Sequence, residues 1–170
     1  MGKKDNKEKL SEQKTNVMRL LEQAGIAYTH YCYADTGAVN GEEAAAILGQ
    51  NPKQVFKTLV TVGKSGEHYV FVIPVECELN LKKAAKAVGD KSVEMVKSKE
   101  LLPLTGYIHG GCSPIGMKKL FPTVLHESAK EFDTILFSAG KVGYQVQAAP
   151  DDLQKLVPFI YADVADGHQR

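Results

Sequence analysis

The sequence predicts one mixed α/β domain of the α+β kind, built on antiparallel strand pairs. Three observations carry this. Two apolar runs rich in β-branched and aromatic residues, 55–62 and 68–75, flank Gly63-Lys64-Ser65-Gly66-Glu67, which is a hairpin pattern. Short helical and strand patterns follow one another with no internal repeat, linker or change of composition, and hairpins exclude a doubly wound parallel sheet. At 170 residues, with 44% hydrophobic and 24% charged side chains, the chain has the size and balance of a single globular domain. A chain of that length buries roughly 70% of its unfolded surface and needs no disulfide or metal staple.

The elements follow in order. Residues 1–14 are polar and lysine-rich and read as a mobile tail. Val17, Leu20, Leu21 and Ala24 fall at helical spacing and Gly25 stops them. Residues 26–33, with three tyrosines, read as an edge strand, 36–41 as a loop and 42–48 as a short helix leaving at Gly49. After the hairpin, Asn80 caps a helix over 81–88 that ends at Gly89. A short strand at 93–96, a turn of helix at 98–102 and strands at 123–126 and 134–138 come next, with a helical turn at 128–131 before the last of these. Residues 139–143 turn into a strand over 144–148, and Pro150 opens a helical segment to Leu156. Residues 159–164 close the domain, which spans 15–164, and 165–170 read as a C-terminal tail.

Cys32, Cys77 and Cys112 are odd in number and scattered, which argues against a disulfide framework and fits a reducing, cytoplasmic setting. No apolar run approaches a membrane span and the N-terminus lacks the apolar core of a signal peptide, so no membrane partner is expected. The net charge of +1 hides an asymmetry: between Lys82 and Lys119 eight lysines face three acids. If the fold gathers them on one side, that side attracts a polyanion such as nucleic acid; otherwise they form an ordinary solvated surface.

Along the strand over 55–62, side chains alternate, and neither face is clearly polar, as in a central strand covered on both sides. Lys57 is the misfit. Either its stem lies over apolar surface with its head in water, or its ammonium stands on the floor of a pocket, ready for a carbonyl or phosphate. The loop Gly110-Gly111-Cys112-Ser113-Pro114-Ile115-Gly116 lets backbone amides approach a ligand and suits an anion nest or oxyanion hole, or is simply a connector. No Gly-Lys-Ser/Thr follows it, so it is not a P-loop. Cys112 with His109 invites a thiol-nucleophile reading, against which stands a buried bystander cysteine. With no Cys-x-x-Cys and dispersed histidines, no metal site or cofactor is expected.

Three motifs in series carry a resemblance: Val55-Phe56-Lys57-Thr58-Leu59; Thr105-Gly106-Tyr107 leading to Gly110–Gly116 with Lys118-Lys119; and Ser138-Ala139-Gly140-Lys141-Val142-Gly143. In this order the chain resembles the YbaK/EbsC family, and within it the Cys-tRNA(Pro)/Cys-tRNA(Cys) deacylases, over nearly everything but the tail. The family also includes the editing domain inserted in bacterial prolyl-tRNA synthetases and relatives that hydrolyse Ala-tRNA(Pro). The resemblance implies a sheet curled into a partial barrel with helices around it, and a trans-editing enzyme that clears cysteine from tRNA(Pro). It puts the pocket lysine on Lys57 and the loop donors on Gly110 and Gly111. It puts substrate contacts on Tyr33, Thr58, Ser113, Pro114, Ser138 and Gly140. The family loop usually carries an aliphatic residue where this chain has Cys112, which favours the bystander reading. Binding of tRNA is expected through Lys82, Lys83, Lys86, Lys118 and Lys119, with prolyl-tRNA synthetase as a partner. The alternatives are an Ala-tRNA(Pro) deacylase, a non-catalytic aminoacyl-tRNA-binding module and a thiol enzyme using Cys112.

Overall fold

A computed structural model describes residues 14–38 and 40–167. The tail read at 1–14 therefore lies, except for Lys14, outside the described residues. Capping chemistry sets the helices. Helix α1 (Asn16–Gln23) begins at Thr15, whose hydroxyl accepts from the Met18 N–H at 3.3 Å, and buries Val17, Met18 and Leu21. In α2 (Gly41–Leu48) and α3 (Leu81–Val88) the amide oxygens of Asn40 and Asn80 do the same work, accepting from Glu43 and Lys83 N–H at 2.9 and 3.0 Å. Helix α4 (Ser98–Thr105) runs three residues past the predicted Leu102, in spite of Pro103. The Thr105 hydroxyl donates back to the Leu101 carbonyl at 2.8 Å and closes the last turn.

The strands are β1 (Tyr28–Cys32), β2 (Phe56–Gly63), β3 (His68–Pro74), β4 (Glu78–Leu79), β5 (Val93–Met95), β6 (Thr123–His126), β7 (Ile135–Ser138), β8 (Tyr144–Ala148), β9 (Phe159–Ala162) and β10 (Ala165–Asp166). They form a five-stranded sheet in the order β5-β2-β3-β6-β9, a three-stranded sheet β1-β8-β7 and a small pair β10-β4. The predicted hairpin is β2–β3, in register from Phe56–Pro74 to Val62–His68. The pairs β3–β6 and β6–β9 are parallel, which no local pattern announces. Ala165 and Asp166, read from sequence as tail, instead pair with Leu79 and Glu78, so the fold extends past Val164.

Both faces of the five-stranded sheet are covered, as expected for β2. Phe56, Val60, Val70 and Val72 enter a core shared with the three-stranded sheet (Ile135, Phe137, Val146) and α1. Tyr69, Phe71 and Ile73 enter a second core under Ala84 and Ala85 of α3. Full burial of a side chain such as Phe71 or Phe137 contributes about 2–3 kcal/mol. The two larger sheets meet where Val55 forms a single parallel bridge with Leu136 of β7, and their facing sides share one core. Among the described residues no helix is long and apolar enough to cross a membrane.

Candidate active site

Two strands share one edge of β2. Strand β5 pairs with it only over Thr61–Gly63, and β7 bridges the strand's line only at Val55, just ahead of β2. The gap between them opens a cavity of about 520 Å³. Its floor is Val55 and residues 56–60 of β2; Met95, Val96, Ser98 and Leu101 wall one side, and Phe137, Ser138 and Gln145 the other. Tyr33, the α2 entry at Asn40–Glu42 and the loop residues His109, Gly110 and Cys112 complete it.

Lys57 lines this cavity, and its ammonium donates to the Val75 carbonyl at 3.3 Å. Among the described residues it forms no ion pair. Thr58 lines the cavity with its hydroxyl oxygen buried and without a hydrogen-bond partner. Such an orphan is costly unless a ligand or water meets it. Tyr33 is buried, and burial raises its phenol above the ordinary range; its N–H donates to the Gly143 carbonyl at 2.7 Å. The Ser138 hydroxyl accepts from the Gly140 N–H at 3.1 Å, which fixes the oxygen at the head of its turn.

Of the glycine-loop residues assigned by resemblance, only Gly110 lines the cavity. The Gly111 N–H is already donated to the Ile108 carbonyl at 3.0 Å. Among the described residues the N–H groups of Gly110 and Cys112 donate to no protein acceptor, and these are the two loop residues that line the cavity, whereas Gly111 is not among them. Ser113 is fully buried and its oxygen accepts from the Ile115 N–H at 3.3 Å, a contact internal to the loop. Pro114 faces a small apolar hollow between Val72, Ile115 and Leu125, behind the loop. Gly140 is not a lining residue either: a β-carbon there would stand 3.0 Å from Tyr107 and Val17, so it serves close packing. Cys112 reaches the cavity, but burial pushes its thiol up to about 12, which keeps it protonated at neutral pH.

Among the lining residues that the sequence did not announce are Gln145 and Glu42. Gln145 is 3% exposed, and its side-chain oxygen accepts from the Gln50 amide at 2.6 Å. Alternation along Tyr144–Ala148 puts Gln145 and Gln147 on one face, a polar stripe in an apolar strand that was the available signal. Glu42 is the one carboxylate among the described lining residues. Among the described residues no group of three or more His, Cys, Asp or Glu side chains is placed to hold a metal ion.

The lysines divide. Those of α3 lie over the second core, whereas the Lys119 ammonium stands 5.9 Å from the ring of Phe121, a first-core residue. Lys118 is tied to the end of α4 by its N–H, 3.0 Å from the Thr105 carbonyl. Lys83 is engaged with Asp163 at 2.8 Å and Asp166 at 3.5 Å. The α3 lysines and Lys119 thus stand beside different cores.

Comparison with known proteins agrees with this architecture. The chain is 47% identical over 157 residues to a protein of Enterococcus faecalis (strain ATCC 700802 / V583) named as Cys-tRNA(Pro)/Cys-tRNA(Cys) deacylase EbsC, covering 92% of this chain and 96% of that one. It is 29% identical over 103 residues to the proline–tRNA ligase of Shouchella clausii (strain KSM-K16), covering 61% of this chain and 18% of the ligase. A solved structure described as a trans-editing enzyme for prolyl tRNA synthetase superposes with a TM-score of 0.78 at 28% identity, over 89% of this chain and 95% of that one. Residues 36–156, which hold the gap in the sheet and both loops beside it, match the aminoacyl-tRNA editing domain, and the chain belongs to that family.

Proposed function

We propose that this protein is a trans-editing aminoacyl-tRNA deacylase that removes cysteine from Cys-tRNA(Pro), with Cys-tRNA(Cys) as a further substrate. The observation that carries the reading is that Lys57 and Gly110 line one cavity in a chain of the editing-domain family. The relative named as a Cys-tRNA deacylase supports the choice of cysteine.

The substrate supplies its own nucleophile. The cysteine sulfur attacks the ester carbonyl, a C–S bond forms, the C–O bond to ribose breaks, and the thiol proton passes through solvent to the ribose oxygen. Water then opens the strained thioester to free cysteine. The protein contributes orientation and charge stabilisation. N–H groups of the glycine loop, Gly110 foremost, meet the carbonyl oxygen as it becomes negative. Lys57 holds the aminoacyl-adenosine end, Tyr33 forms a wall, and Thr58 and Ser138 offer hydroxyls to the substrate. The buried, protonated Cys112 is a wall residue and not a nucleophile. Lysines contact the tRNA backbone, and a complex with prolyl-tRNA synthetase in the cytoplasm supplies the choice of tRNA.

The test is a deacylation panel over Cys-, Ala-, Ser- and Pro-tRNA with wild type and Lys57→Ala. Cysteine release from Cys-tRNA(Pro), reduced by about 10²-fold or more in the variant, is expected. Faster loss of alanine than of cysteine makes the protein an Ala-tRNA(Pro) deacylase. Tight tRNA binding without turnover makes it a binding module.

A further inference from the structure

Main-chain direction alternates along an antiparallel strand, so residues two apart present N–H and C=O to the same edge. Just ahead of β2 the Gln54 carbonyl accepts from Leu136 N–H at 3.0 Å on the β7 side, and within β2 the Val60 carbonyl accepts from Val96 N–H at 3.1 Å beside β5. The Val55 carbonyl instead accepts from Val75 N–H at 2.8 Å, toward β3. Thr58 therefore turns its N–H and C=O outward, in phase with Gln54 and Val60. It lies in the gap that neither β5 nor β7 covers, on the floor of the cavity. A strand edge left open inside a cavity is a set of main-chain groups waiting for a partner.

We infer that the open edge of β2 at Thr58 is the subsite for the free α-ammonium of the aminoacyl group, the Thr58 carbonyl accepting its hydrogen bond. This rests on the deacylase reading. A charged donor gains more from a buried carbonyl than a neutral hydroxyl does. The cavity's own cation leaves room for it, because the Lys57 ammonium is drawn back to the Val75 carbonyl. The Thr58 hydroxyl beside it also lacks a partner. A blocked nitrogen has lost both the charge and two of its donors and carries bulk into the strand edge. The site thus takes free aminoacyl-tRNA and refuses N-acylated forms, formyl-aminoacyl- and peptidyl-tRNA included.

The experiment compares Cys-tRNA(Pro), N-acetyl-Cys-tRNA(Pro) and 3-sulfanylpropanoyl-tRNA(Pro), which keeps the thiol and lacks the amine. Each kcat/KM is divided by the spontaneous hydrolysis rate of the same ester in the same buffer. Both altered esters are expected to lose about tenfold or more after this correction. A smaller loss for the amine-free ester overturns the subsite while leaving the deacylase reading intact. No turnover of Cys-tRNA(Pro) itself overturns both. Glu42→Gln separates the strand edge from the cavity's carboxylate: the preference for the amine is expected to persist, and its collapse assigns the ammonium to Glu42 instead.

Discussion

A β-carbon on Gly111 would stand 3.0 Å from the main-chain nitrogen of Val142, so the glycine loop and the turn after β7 touch backbone to backbone. Gly111 is there for close approach. Backbone cannot yield as a flexible side chain does, so Gly111→Ala moves the two loops apart and shifts the neighbouring Gly110 and Cys112 N–H groups. The expected result is a kcat for Cys-tRNA lowered by about 10²-fold. The thermal midpoint should fall by an amount matching roughly 1–3 kcal/mol of overpacking. Single-turnover deacylation and thermal melts check both; unchanged kcat would detach this contact from catalysis.

Cys112 and Cys32 should part company chemically. Cys112 is buried and its thiol lies near 12, whereas Cys32 is exposed. Iodoacetamide at neutral pH is expected to label Cys32 first and leave turnover intact. Cys112→Ala is expected to keep its deacylation rate and lose about 1 kcal/mol of stability through lost packing. Peptide mapping of the labelled protein, with a rate assay, decides the point.

His126 links pH to the closing strand. Its Nδ1 accepts from the Val164 N–H at 3.2 Å, just before β10. Burial lowers its pKa, against the opposing pull of Asp163 and Glu127, and with Lys83 adding to the lowering. The unfolded chain therefore binds the proton more readily. Stability from this residue is complete above the unfolded value of about 6.5 and is lost as pH falls through the lower folded value. Urea midpoints from pH 7.5 downward should decline more steeply in wild type than in His126→Asn; parallel curves would remove the link.

The split of the lysines predicts unequal roles. Lys118 is attached to α4, whose first turns wall the cavity, while Lys82 and Lys86 lie on the helix over the opposite core. The double variant Lys118→Ala/Lys119→Ala should weaken tRNA binding and reduce the slope of log K against log salt by about 2, while Lys82→Ala/Lys86→Ala should leave the slope nearly unchanged. Lys83→Ala breaks exposed pairs and should cost less than about 1 kcal/mol. Filter binding across a salt series makes the comparison.

Much of the fold was legible because its signals are local. Asn40 and Asn80 cap helices that their sequence context announces, and the Gly63–Glu67 turn sets the register of β2 against β3. The placement of Lys57 and Gly110 on one cavity agrees with the motif series. Ser113, Pro114 and Gly140 sit in the same motifs but serve packing, because a motif records which loop is needed and not which of its atoms face inward.

By itself the sequence determined most of the strands and helices, the Asn80 cap, the turn between β2 and β3, and the family resemblance. Periodicity and capping act over a few residues, and a motif series survives as text. Only the tertiary structure decided that β5 and β7 stop short of each other along β2, that the Gly111 amide is spent inside its own turn, and that the lysines fall on two faces of a sheet. Those facts depend on which distant strands pair and how far each pairing runs. That is settled by burial of a shared core, a sum over the whole chain that no local stretch contains.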